Sequence, residues 1–333
     1  MNTEEQIQSF RDTYAAIRAE VGKVIVGNDQ IVDGTLIAML AGGHVLLEGV
    51  PGLGKTLLVR TLSQVLNISF NRVQFTPDLM PADILGTNIV MEVPGGGREF
   101  RFQKGPIFAH LILADEINRA TPKTQSALLE AMQEHSVTAG GEIRKLGEPF
   151  FVLATQNPID QEGTYPLPEA QLDRFFFKLL VTYPTAADLT EVLNRTTENL
   201  KPEINMAVTK EQLIELQYLV RQVPAASHVK DYAVRLILAT HPKTETASPI
   251  ANQYLRFGSS PRGAQCLLLA AKVRALMQGR FNASFEDIHA VVIPSLRHRC
   301  ILNFEAEAEG ITTDHILQQI IKDVPRDATL AAA

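Results

Sequence analysis

The chain has 333 residues, 45% of them hydrophobic, with 31 Lys and Arg against 37 Asp and Glu, a formal net charge of −6 and a sequence pI of about 5.8. That length is more than one hydrophobic core usually serves, so two domains are expected. The acidic balance argues against a general nucleic-acid binder, which would show a basic stripe, and two cysteines, Cys266 and Cys300, without a C-x-x-C spacing argue against a disulfide framework or a metal module.

The acidic start Met1-Asn2-Thr3-Glu4-Glu5 lacks the apolar core of a signal peptide, and Asp33, His44 and Glu48 interrupt the longest apolar stretch. A cytoplasmic protein with no membrane insertion is expected. Ile7, Phe10, Tyr14, Ile17 and Val21 recur at helical spacing behind a Thr3/Gln6 capping box. A second helix runs from about Asp29 to Gly42-Gly43. Strands are expected near residues 44–48, 69–74, 111–115, 150–155 and 176–181. Helices fall between most of them, which argues a parallel sheet covered on both faces.

The first strand, Val45-Leu46-Leu47, leads into Gly49-Val50-Pro51-Gly52-Leu53-Gly54-Lys55-Thr56, which fits G-x-x-x-x-G-K-[ST]. A triphosphate needs many donors close together and no side chain in the way. Gly52 and Gly54 let the backbone approach the anion without a Cβ clash, and amides at the start of the following helix point at it. Lys55 would reach the β- and γ-phosphates, and Thr56 would place its hydroxyl on Mg²⁺. The candidate nucleotide contacts are therefore Gly49, Val50, Pro51, Gly52, Leu53, Gly54, Lys55, Thr56 and Leu57.

Ile89 to Val93 and Arg98 to Phe102, joined by Pro94-Gly95-Gly96-Gly97, read as a hairpin. The buried strand His110-Leu111-Ile112-Leu113-Ala114 then delivers Asp115 and Glu116 to its carboxyl end, where open α/β sheets hold ligands. Asp115 would hold Mg²⁺ through its water shell, and Glu116 would act as base toward an attacking water. Val137-Thr138 and residues 142–145, around Gly140-Gly141, form a second hairpin. The strand Phe150 to Thr155 ends at Gln156-Asn157-Pro158. There Asn157 is either a turn residue or a partner of the attacking water or γ-phosphate.

Arg174, beside Phe175-Phe176-Phe177, reads either as a surface or helix-end charge or as an arginine finger. From Pro184 the pattern turns helical, with starts at Thr209/Gln212, Ser227, Ser260-Pro261 and Ser284/Asp287. Arg262 lies in the first turn behind Ser260, where a cation opposes the macrodipole, which favours an anion contact. Residues 328–333 read as a disordered tail.

Leu113-Ala114-Asp115-Glu116-Ile117-Asn118-Arg119-Ala120, the segment Lys123 to Met132, Ala154-Thr155-Gln156-Asn157-Pro158 and the long segment Gln161 to Phe175 together resemble the MoxR type of AAA+ ATPase, over about residues 5–325. The resemblance implies an α/β P-loop AAA+ core over 1–183, with a five-stranded parallel sheet between helices and hairpin inserts, and an all-helical C-terminal lid over 184–327. It matches Lys55 and Thr56 to Walker A, Asp115 and Glu116 to Walker B, Asn157 to sensor 1, Arg174 to an arginine finger acting on a neighbour's ATP, and Arg262 to sensor 2. Val26 and Gly27 match the region lining the adenine pocket. ATP and Mg²⁺ are the implied ligands, and the implied partners are other copies in a ring, a hexamer by resemblance, a client protein and a von Willebrand A-domain protein. In similar rings both hairpins face the pore. Other readings are a DNA-remodelling ring, a monomeric P-loop kinase or GTPase, and a nucleotide-gated scaffold. No Asn-Lys-x-Asp guanine motif is present.

Overall fold

The computed structural model describes residues 2–49, 54–93, 97–157, 164–197 and 202–326. The chain opens with α1 (Thr3–Gly22), capped by Asn2: its side chain accepts from Glu5 N–H at 2.9 Å, and the Glu5 carboxylate accepts from Asn2 N–H. The capping box thus lies one residue ahead of the expected Thr3/Gln6 pair; asparagine is the better N-cap and an anion the better acceptor for the cap amide. Then follow α2 (Asp29–Leu40), β1 (Val45–Glu48), α3 (Lys55–Val65), β2 (Phe70–Gln74), α4 (Pro81–Leu85), and the antiparallel hairpin β3 (Gly86–Val93) with β4 (Gly97–Lys104). Next come β5 (Leu111–Asp115), α5 (Pro122–Glu134), the hairpin β6 (Ser136–Ala139) with β7 (Glu142–Lys145), β8 (Phe151–Gln156), α6 (Glu169–Leu172) and β9 (Phe177–Leu180).

β2, β5, β8, β1 and β9 lie side by side in that order as one five-stranded, all-parallel sheet. Side chains alternate across it. Val45, Leu47, Leu111, Leu113 and Leu153 face a core built with α1, α2 and α3, whereas Leu46, Ile112, Ala114, Val152 and Ala154 face a second core built with α5. Burial on both faces is why these strands read as unbroken apolar runs. The parallel order brings Glu48, Asp115 and Gln156 to one carboxyl edge.

After β9 come α7 (Ala186–Thr197), α8 (Lys210–Gln222), α9 (Ser227–Ala239), α10 (Pro249–Tyr254), β10 (Leu255–Phe257), α11 (Pro261–Met277), α12 (Phe285–Leu296), β11 (Ile301–Leu302), α13 (Phe304–Glu309) and α14 (Thr313–Asp323). Thr209/Gln212 and Ser284/Asp287 form the capping boxes of α8 and α12. α9 differs: Ala226 is its N-cap and Ser227 its first helical residue, because the isolated bridge Ala225 to Ala283 holds the chain extended up to that point. The lid is helical apart from the short antiparallel pair β10 and β11, which departs from the all-helical expectation. Its apolar interior is continuous with the first core through Leu267, Ala270 and Val273 of α11, and α11 packs against both α1 and α2. Cys266 and Cys300 are buried free thiols. None of the described helices is long and apolar enough to cross a membrane. The tail 328–333 lies outside the described residues.

Candidate nucleotide-binding site

Two connected hollows open at the carboxyl edge of the sheet, sharing Gly54, Lys55 and Leu57. One is polar, about 410 Å³, and lies between the start of α3 and the ends of β2, β5 and β8. The other is mostly apolar, about 280 Å³, and runs under α7.

In the polar hollow Gly54 takes a left-handed φ of 76° and hands the chain into α3 at Lys55; glycine adopts that conformation without penalty. The Lys55 ammonium donates to the Gly49 carbonyl at 2.5 Å. Burial holds it below the usual lysine range, while Asp115, Glu116 and Glu48 pull the other way. A cation so placed, at a helix start, suits a polyphosphate. Thr56 and Leu57 line the same wall. Val50, Pro51, Gly52 and Leu53 lie outside the described residues.

Asp115 and Glu116 face Lys55 across the hollow. One Asp115 oxygen accepts from Thr155 Oγ1 at 2.6 Å, and the other accepts two N–H bonds from Arg72, the shorter 2.7 Å. Glu116 sits at φ 56°, an uncommon conformation outside glycine. Its N–H donates to Thr155 Oγ1 at 2.8 Å, and its carboxylate accepts from Gln74 at 3.1 Å and Arg119 at 3.0 Å. Backbone strain of about 1–3 kcal/mol of this kind persists where surrounding bonds over-determine it, and it clusters at functional sites. Asn157 lines the hollow, and its carbonyl accepts from Asn118 Nδ2 at 3.5 Å.

The oxygen donors Thr56 and Asp115 on facing walls suit Mg²⁺, which keeps several waters and takes phosphate oxygens besides one or two protein ligands. They are too few for an all-protein cage. Among the described residues no cluster of three or more His, Cys, Asp or Glu could hold a metal alone.

The apolar hollow is lined by Val24, Ile25, Val26, Asn28 and Ile31 on one side and by Val181, Leu189 and Val192 on the other. Its size and lining suit a planar base. Gly27 stands beside it at φ 66°, where a Cβ would come within 2.8 Å of the Asp188 carboxyl carbon. Arg195 of α7 donates to the Gly22 and Lys23 carbonyls at 2.7 and 2.9 Å, which ties α7 over the opening.

The structure does not bring Arg174 and Arg262 into either hollow. Arg174 follows α6 and precedes β9, at the amino edge of the sheet, where Phe176 N–H donates to the His44 carbonyl ahead of β1. The opposite edge is about 13 Å away, for four strand residues. No hydrogen bond or ion pair engages the Arg174 side chain among the described residues, and its Nε is buried without a partner. Arg262 pairs with Asp173 at 3.3 Å and reaches Gln133 at 3.4 Å. Arg262, at the start of α11, thus meets the same turn that carries Arg174.

Sequence reasoning missed Thr155, Arg72, Gln74 and the α7 residues Leu189, Val192 and Arg195. The first three depend on strand register, which places Gln74 opposite Asp115 and Thr155 beside Leu47.

The family model for the ATPase family associated with various cellular activities (AAA) matches residues 44–177, and that for the AAA lid domain matches residues 247–320. Chaperone MoxR1 of Mycobacterium tuberculosis is 42% identical over 92% of this chain and 80% of its own length. The uncharacterised protein YeaC of Bacillus subtilis is 44% identical over 91% of this chain and 92% of its own, and protein MoxR of Methylorubrum extorquens is 31% identical over 98% and 99%. A crystal structure of a chain assigned as an ATPase, from Cytophaga hutchinsonii, is 43% identical with a TM-score of 0.90, covering 97% of each chain.

Proposed function

Because this chain belongs to the MoxR-type AAA+ ATPases, we propose that its two hollows take ATP with Mg²⁺ and that hydrolysis is completed by a neighbouring copy in a ring. Lys55 and the α3 amides hold the phosphates, Thr56 and Asp115 hold the metal side, and residues 24–28 with α7 hold the base. Bound there, Mg²⁺ would neutralise charge on the phosphate oxygens and fix their orientation. Glu116 takes the proton of the attacking water, and Asn157 orients that water or the γ-phosphate. Thr155 holds Asp115 and Glu116 in register with each other.

The observation that carries the ring reading is the position of Arg174. It lies an entire strand length from its own chain's phosphate hollow, farther than an arginine side chain spans, and its Nε has no partner among the described residues. A guanidinium so placed serves the hollow of an adjacent copy, and Arg262, which reaches from α11 to Asp173 of the same turn, serves it with Arg174. The 1–183 core and 184–327 lid then meet at the segment before α7, which follows the nucleotide directly. A hexameric, cytoplasmic ring that applies this motion to a client protein, with a von Willebrand A-domain companion, is the reading the resemblance favours. The hairpins support the client side: Phe102 packs against Phe108 and under Arg144, leaving Phe100 three-quarters exposed on the same strand face.

The test is a mixing experiment. Lys55→Ala should lose ATP binding, and Arg174→Ala should bind ATP but turn over about 10³- to 10⁵-fold more slowly. Rings mixed from the two should recover activity, since each supplies what the other lacks. Mixed rings that stay inactive would remove the action in trans.

A further inference from the structure

The turn that carries Arg174 is gripped on both sides by the lid. Arg299, just beyond α12, is 5% exposed. Its Nε donates to the Asp173 carboxylate at 2.9 Å, and its Nη2 donates to the carbonyls of Asp173 and Phe175 at 3.0 and 2.7 Å. Nη1 donates to the Phe176 carbonyl at 3.3 Å and to the Ser295 carbonyl within its own lid segment. His298, kept neutral by burial and by the adjoining Arg299 charge, donates Nε2–H to the Phe175 carbonyl at 2.9 Å. From the start of α11, Ser260 Oγ donates to the Asp173 carboxylate at 2.7 Å, and Arg262 pairs with the same group. The carbonyls of the two residues flanking Arg174 are thus both taken by lid donors.

Packing leaves this grip little slack. A Cβ on Gly263 of α11 would come within 2.8 Å of Leu296 and 3.3 Å of the Arg299 Cδ, so α11 closes directly over the stem of the Arg299 side chain. Stability alone does not call for a charge here, since apolar residues often replace a buried ion pair at no loss. What a planar fork adds is geometry: several fixed N–H directions that match three carbonyls of one turn and one carboxylate.

We infer that Arg299 is a positioning residue for Arg174 and Arg262, a rigid coupling that makes any displacement of one protomer's lid reorient the arginines offered to the neighbouring triphosphate. The inference rests on the action of Arg174 in trans proposed above. Its consequence is directional: the clamp governs what a protomer donates, and leaves what it binds in its own hollow untouched.

The experiment uses full-length Arg299→Lys, which keeps the charge and loses the fork. Alone, it should bind ATP with wild-type affinity and hydrolyse about 10²-fold more slowly, the effect of misplacing a reacting group by about 1 Å. Mixed with Lys55→Ala, whose arginines are intact, it should recover activity; mixed with Arg174→Ala it should not, because neither protomer donates well. A purely structural defect would instead damage its own hollow and resist rescue by Lys55→Ala. That outcome, or wild-type turnover by Arg299→Lys alone, overturns the inference. The control pair of Lys55→Ala with Arg174→Ala separates the two claims: if that pair fails to recover, the action in trans is wrong and the coupling falls with it. If Arg299→Lys does not fold, Asp173→Asn, which removes the carboxylate at the centre of the clamp, goes through the same mixtures. Rescue by Lys55→Ala alone then supports the coupling, and failure of that rescue overturns it.

Discussion

Replacing Thr155 by valine tests the centre of the proposed site with almost no change in shape. The hydroxyl does two things at once: it donates to Asp115 at 2.6 Å and accepts the Glu116 N–H at 2.8 Å. Thr155 is 1% exposed, so water does not replace either bond. A hydrogen bond to a charged group contributes about 1.5–3 kcal/mol, and a buried N–H left without an acceptor costs about 1–3 kcal/mol. Asp115 keeps Arg72, which limits the first loss, so the total should be about 3 kcal/mol of stability. The functional loss should be distinct from this. With its amide untethered, Glu116 is free to leave the left-handed conformation, and turnover should fall by about 100-fold, the lower end of the range for a general base. Urea denaturation without nucleotide and steady-state ATP hydrolysis at saturating Mg²⁺ read the two effects separately. Thr155→Ser, which retains the hydroxyl, is the control and should stay near wild type in both. If valine and serine behave alike, the bridging role is refuted.

Two other contacts give equally specific expectations. Gly27→Ala places a methyl group against Asp188, whose carboxylate accepts from Thr185 N–H and Oγ1 at the start of α7; with the positive φ it should cost about 1 kcal/mol or more. It should also weaken ATP binding, measured by equilibrium titration, and unchanged affinity would count against residues 24–28 as the wall of the base hollow. Acidification should destabilise the protein through His44, whose buried ring accepts from Val152 N–H and meets the Met132 carbonyl, and whose pKa burial lowers from 6.5 to about 4. Because the native state binds fewer protons, that contribution is complete above pH 6.5 and lost as pH falls toward about 4; the stability difference between wild type and His44→Gln should shrink by about 3 kcal/mol between those limits, and a constant difference in denaturation experiments would contradict it.

What can be read in the sequence is whatever a short window encodes. The glycine loop, the apolar strands and the acid pair after Leu113-Ala114 each state their place locally, as do the Thr209/Gln212 and Ser284/Asp287 caps. Thr155 and Arg72 carry no such signal. Either is an ordinary strand residue until β5 lies between β2 and β8, and only then do both side chains converge on Asp115 from opposite flanks. Arg262 shows the same limit from another side. Its place at a helix start argues for an anion, and the anion it meets is Asp173, 89 residues away on the turn that also carries Arg174. Local rules give the charge preference, but the partner is chosen by how the lid folds back on the amino edge of the sheet. That folding back also seats the two arginines together: the lysine, the acids and the apolar hollow gather at one edge of the sheet, and Arg174 with Arg262 at the other, which is the separation that the proposed action in trans requires.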